Sequence, residues 1–198
     1  MASTSDTIEL SEDELREITG YAADCARRVL PVFEQDRPGD ARPREAIEAA
    51  EAFAGGGRRT AALRQCAWTA YKAAQETGSP AAIDAARAAS HAAGAAYLHP
   101  KASAHQIKHI LGAAAHAARA EELSAEARAA EEPAAEGTTR TAARTLAWAS
   151  RHAPPAVSRV LARMPAPPAG GGRVGELIRA LDTALRPAPT TDGPTNRT

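Results

Sequence analysis

At 198 residues the chain is long enough to enclose a core, and its 24 basic and 24 acidic side chains cancel to a formal net charge of zero. Neutrality argues against one dominant basic nucleic-acid surface, and no apolar run approaches the roughly 20 residues that a membrane-spanning helix needs. Alanine fills 52 positions while aromatic residues make up 4%, a composition that favours helices packed by close approach around few large side chains. No stretch alternates apolar and polar residues at period two. The expected fold class is therefore all-α, a single irregular bundle of about seven helices over residues 11–186, with flexible tails at 1–10 and 187–198.

Ser11 followed by Glu14 has the spacing of a capping box and starts the first helix. Leu15, Ile18, Ala22, Cys25, Val29 and Val32 recur at three- and four-residue steps and form its core-facing stripe. Pro31 cannot donate to the carbonyl of Arg27, so the helix kinks or ends there. Pro43 suits the first position of a second helix reaching about Ala54. Gly55, Gly56 and Gly57 follow; with no strand before them and no Gly-Lys-Ser or Gly-Lys-Thr after, they read as a linker and not a phosphate loop. A third helix over 58–76 carries Leu63, Cys66 and Ala70 on one face and Trp68 and Tyr71 on a neighbouring one, which predicts a central helix with two buried faces. Ser79 as N-cap and Pro80 open a fourth, alanine-dominated helix to about Leu98.

The most informative stretch is Y-L-H-P-K-A-S-A-H-Q-I-K-H-I-L over residues 97–111. Pro100 drives His99 out of the helical region, so one helix stops and the next starts near Ala102 or Ser103. At about 100° per residue, Ile107, Ile110, Leu111, Ala114 and Ala118 share one face of that fifth helix, and His105, His109, Gly112 and His116 share the opposite one. The first face is expected in the core; the second is offered to solvent, a partner or a site. His99, Lys101, His105, Lys108, His109 and His116 are the candidate partner-binding residues.

The fifth helix runs into a glutamate-rich stretch, the acidic linker region near 121–139, with the break itself at 133–139. Helices follow over 139–151 and from Pro155, and then a Pro/Gly spacer at 165–172. A last amphipathic helix over 173–185 must dock back through Val174, Leu177, Ile178, Leu181 and Leu185. Charge alternates in blocks: ten acids against four bases over 1–40, two against eight over 55–120, six against one over 121–136, and three against nine over 137–198. Helices that complement one another inside the fold are the expected use of such blocks. Cys25 and Cys66 are isolated thiols of the kind found buried in reduced compartments, and no signal segment opens the chain, so a cytoplasmic protein is expected.

His105 and His109 have the i, i+4 spacing of a metal-ligating pair, which keeps open a metal-dependent or small-molecule enzyme using His99, His105 and His109. No His-Glu-x-x-His, Glu-x-x-His or His-Asp motif accompanies them, so the expectation is no metal, no cofactor and no catalytic residue. Arg144, Trp148 and His152 align at four-residue steps, and with Arg140 and Arg151 they supply a second alternative, a nucleic-acid-associated helical scaffold; packing of Trp148 against the C-terminal helix is favoured over it.

Longer stretches carry a family likeness. D-E-L-R-E-I-T-G-Y-A-A-D-C-A-R-R-V-L-P-V-F-E (13–34), R-P-G-D-A-R-P-R-E-A-I-E-A-A (37–50), G-G-G-R-R-T-A-A-L-R (55–64) and A-A-Y-L-H-P-K-A-S-A-H-Q-I-K-H-I-L-G (95–112) resemble the bacterial putative immunity proteins associated with polymorphic toxin systems. The ending, 154–165 and 173–186, is similar to them too. The resemblance implies an all-α, non-catalytic protein that binds and neutralises a cognate protein toxin.

Overall fold

The structure, a computed structural model, describes residues 7–131 and 138–187; the first six residues, the core of the expected linker and the tail beyond 187 lie outside the described residues. Eight α-helices stand among the described residues: α1 (Glu12–Asp36), α2 (Arg42–Ala54), α3 (Ala61–Glu76), α4 (Pro80–Ala95), α5 (Ile107–Glu131), α6 (Thr138–His152), α7 (Pro155–Ala162) and α8 (Gly172–Leu185). The fold is all-α, as expected.

Local chemistry sets most of the helix starts. Glu14 N donates to Ser11 Oγ at 3.1 Å and Ser11 N donates to Glu14 Oε2 at 3.0 Å, closing the capping box of α1. Ser79 Oγ accepts from Ala82 N ahead of Pro80. α3 begins later than position 58 because Thr60, with extended backbone, caps it by accepting from Leu63 N. Of the two outcomes expected at Pro31, termination does not occur: α1 runs on to Asp36. Val29, Leu30 and Phe33 are buried on both sides of the proline. At about 1.5–3 kcal/mol per buried side chain they offset the one lost hydrogen bond.

The centre of the bundle is the pair α4 and α5. α1 lies against both, α2 and α3 cover α4, α6 and α8 cover α5, and α7 touches α1 and α8. Every buried residue of α4 is an alanine. A side chain that ends at Cβ has no rotamer entropy to lose and lets backbones approach closely, so an apparently featureless helix takes a central place. This corrects the expectation that α3 is central: α3 buries only Leu63, Ala70, Ala73 and Ala74, and its Trp68 is 52% exposed.

The charge blocks are paired across the fold. Glu14 of α1 accepts from Arg163 just after α7, with Arg159 3.8 Å away. Glu122 of α5 is buried and accepts from Arg173 of α8 at 2.8 Å and from Arg119 at 2.7 Å. Burial works to raise the Glu122 carboxyl, but the hydrogen bonds from Arg173 and Arg119 outweigh it and hold the group below its ordinary value. The lead-in is not loose where it is described. Thr7 pairs in a β-bridge with Lys101, Ile8 N donates to the Pro100 carbonyl at 3.1 Å, and Ile8 and Leu10 pack on the core.

Candidate functional site

The corner between α4 and α5 is clamped by backbone contacts from three directions. Arg59 Nη1 donates to the Ala96 carbonyl at 3.1 Å, and Tyr97 Oη donates to the Thr60 carbonyl at 2.5 Å. His99 N donates to Gln106 Oε1 at 3.0 Å, while residues 7 and 8 tie down Pro100 and Lys101. A guanidinium from before α3 thus takes the free carbonyl at the end of α4, and the exposed imidazole of His99 is left on the surface.

The histidine row splits at the start of α5. Residues 104–106 form a 3-10 turn, capped by Ser103 Oγ accepting from His105 N, and the α-helix begins only at Ile107. A 3-10 turn advances faster than an α turn, so His105 loses the helical register that was to align it with His109. His99 lines a depression with Arg59, Arg64 and Tyr97; His109 lines a groove with Arg64, Trp68 and Tyr71; His105 and Lys108 line a third, against the loop 167–171. Arg179 Nη1 holds that loop by donating to the Pro168 carbonyl at 3.0 Å and the Gly170 carbonyl at 2.7 Å. Among the described residues no three His, Cys, Asp or Glu side chains gather in a metal-holding group.

Gly112 and His116, expected on an offered face, are buried by α4. α5 is buried on every side from Ile110 to Ala118 because α1, α4, α6 and α8 enclose it. The covering residue on this side is His91, which carries no motif of its own in the sequence. Its ring stacks on His116 with centroids 5.0 Å apart, and His116 Nδ1 lies 2.5 Å from Asp84 Oδ1. Asp84 and His91 are seven residues apart, two helical turns, on a helix otherwise rich in alanine; that shared face was the available signal. Burial pushes His91 down to about 3, helped by the charges of His116, His109, Lys108 and Arg87. His109 is pushed down too, by burial and then by Lys108 and His99, and its Nδ1 is buried without a hydrogen-bond partner.

Glycine at 112 is a packing requirement. A Cβ there would lie 2.8 Å from His91 Nδ1 and 2.9 Å from its Cγ, and the ring, held against His116, has little room to withdraw. Gly112→Ala is expected to lose about 1–2 kcal/mol of stability on urea denaturation, the overpacking cost exceeding the roughly 1 kcal/mol gained in helix propensity. Combining it with His91→Ala should remove that penalty; a loss that persists in the double variant would place the clash elsewhere.

The other aromatic candidate is occupied inside the fold. Trp148 is engaged by α1 and by its own helix: the Arg28 guanidinium sits 4.4 Å from its ring centroid, and His152 stacks on it at 4.2 Å. The exposed aromatic surface is at Trp68, which stacks with Tyr71 at 5.6 Å.

By architecture the chain is an all-α bundle protein built around an alanine-packed helix pair, with the exposed imidazoles of His99 and His105 and the ammonium groups of Lys101 and Lys108 gathered at one corner. The chain belongs to the family of Imm-5 like putative immunity proteins, whose model matches residues 9–144, from the lead-in through the corner and into α6. No curated protein and no solved structure matches it.

Proposed function

We propose that this protein binds and neutralises a cognate bacterial toxin in the cytoplasm, by occupying the toxin's surface and without catalysis of its own. Membership of the immunity-protein family carries this reading. The candidate contacts are the exposed members of the corner, His99, Lys101, His105 and Lys108, with the partly exposed His109. His116 is 7% exposed and acts from behind them, holding His91. The backbone clamps on the corner support such a role, since a preordered surface loses less entropy on docking. No described helix is long and apolar enough to cross a membrane.

Co-expression with candidate toxin domains encoded near its own gene tests the reading. Rescue of growth, together with a complex that survives gel filtration, is the expected result. Toxicity unaffected by the wild-type chain would overturn it.

A further inference from the structure

The three depressions around the corner adjoin one another: Arg64 lines both the first and the second, and Lys108 both the second and the third. Among the described residues not one carboxylate lines any of them, whereas the depression beside α1 is lined by Asp13, Glu17 and Asp24. The two acids between residues 55 and 120 are both turned to internal duty, Glu76 on Arg42 and Asp84 on His116. Arg64 lies 4.5 Å from the Tyr97 ring centroid, and the Lys72 ammonium lies 5.7 Å from that of Trp68, so both cations rest on aromatic faces. In their midst Trp68 is the one exposed large hydrophobic side chain among the described residues.

Resting on the proposed toxin-binding role, we propose that the groove between α3, α4 and α5 seats an acidic segment of the toxin, with an apolar side chain docked on Trp68 and Tyr71 and carboxylates met by Arg64 and Lys108. Trp, Tyr and Arg are the residue types that dominate interface energetics, and cations at the rim steer a complementary acidic surface into place. A protein segment fits better than a nucleic acid. Burial holds His91 and His109, which line the groove, below their ordinary values and so uncharged at pH 7; its fixed charge is a handful of Arg and Lys, while the depression beside α1 carries three carboxylates.

The test measures binding, by calorimetry, of the toxin domain identified by that co-expression. Trp68→Ala and the double variant Arg64→Glu/Lys108→Glu should each raise Kd at least about tenfold, while Glu17→Lys/Asp24→Lys on the α1 face stays within about twofold of wild type. Hydroxyl-radical footprinting of the unmodified complex should show Trp68 and Tyr71 protected, a readout that needs no variant to fold. Toxin bound with wild-type affinity by the groove variants, or Trp68 left reactive in the complex, overturns the surface and leaves the toxin-binding role standing. Failure of the wild-type chain to bind the toxin overturns both. A 20-nucleotide single strand that binds the wild type, loses affinity in the same variants and competes with nothing on the toxin would assign the groove to nucleic acid and overturn the proposal.

Discussion

Phe33→Ala is expected to lower the free energy of unfolding by about 3–5 kcal/mol, a loss on the scale of removing a fully enclosed aromatic ring. Phe33 lies in α1 with none of its surface exposed, and the chain has only one other phenylalanine, Phe53, itself 2% exposed. The cost of such a truncation depends on how far the surroundings collapse into the hole. Much of the core here is alanine on packed helices, including every buried position of α4. An alanine has no χ angle with which to reach into a void, so closing the cavity requires moving a helix backbone against its neighbours. The cavity therefore persists and the loss falls toward the upper part of the range, a large share of the roughly 5–15 kcal/mol that a domain ordinarily has. Urea unfolding followed by far-UV circular dichroism reads the difference. A loss near 2 kcal/mol, about the transfer cost alone, would mean that α1 and its neighbours do close over the site.

The same alanine content decided what the sequence could disclose. Helix starts with a local chemical signature, such as Ser11 with Glu14 and Ser79 with Pro80, were legible because the cap and its partner lie within three residues. The last helix was legible from its stripe of large apolar residues, and Leu177, Leu181 and Leu185 are buried. The all-α class followed from composition and period, and the family likeness pointed where the family match now stands. The centre of the bundle was not legible, since alanine carries almost no hydrophobic contrast and nothing in the sequence of α4 marks it as more central than α3. Nor does the sequence say which helix covers the histidine face of α5, because Gly112 under His91 is a long-range contact that periodicity does not report. The reverse error befell Trp68, read as inward because it is large and aromatic, although the packing of α3 leaves it in water. The corner itself was legible because proline announces a break from sequence alone, but the 3-10 turn that separates His105 from His109 depends on the clamps around it.

Lowering the pH from 7 to 5 is expected to cost about 2 kcal/mol of stability through His91 alone. In the unfolded chain this imidazole takes up its proton near its ordinary value of 6.5; in the folded protein burial holds it down to about 3. The unfolded state therefore binds more protons throughout the window between those values, so stability is complete above about pH 6.5 and falls progressively as pH drops. His109, pushed the same way, adds to the loss. The window from 7 to 5 separates these two groups from the lowered carboxylates, while Asp24, raised by burial and by the Glu51 charge, acts with the opposite sign because its protonation favours the folded state. Glu14, Asp40 and Glu122 sit below their ordinary values, and their stabilisation is lost only at lower pH. His91→Phe keeps a ring over Gly112 and against His116 but has no proton to exclude, and it should flatten the pH dependence to the part that His109 contributes. Equilibrium unfolding at pH 7, 6 and 5 for both proteins measures it. An unchanged slope in His91→Phe would place the excluded proton on His109, directly beneath the groove, where it would also make toxin affinity depend on pH; a flattened slope with pH-independent affinity would fix His91 as a purely internal group that keeps the floor of that groove uncharged.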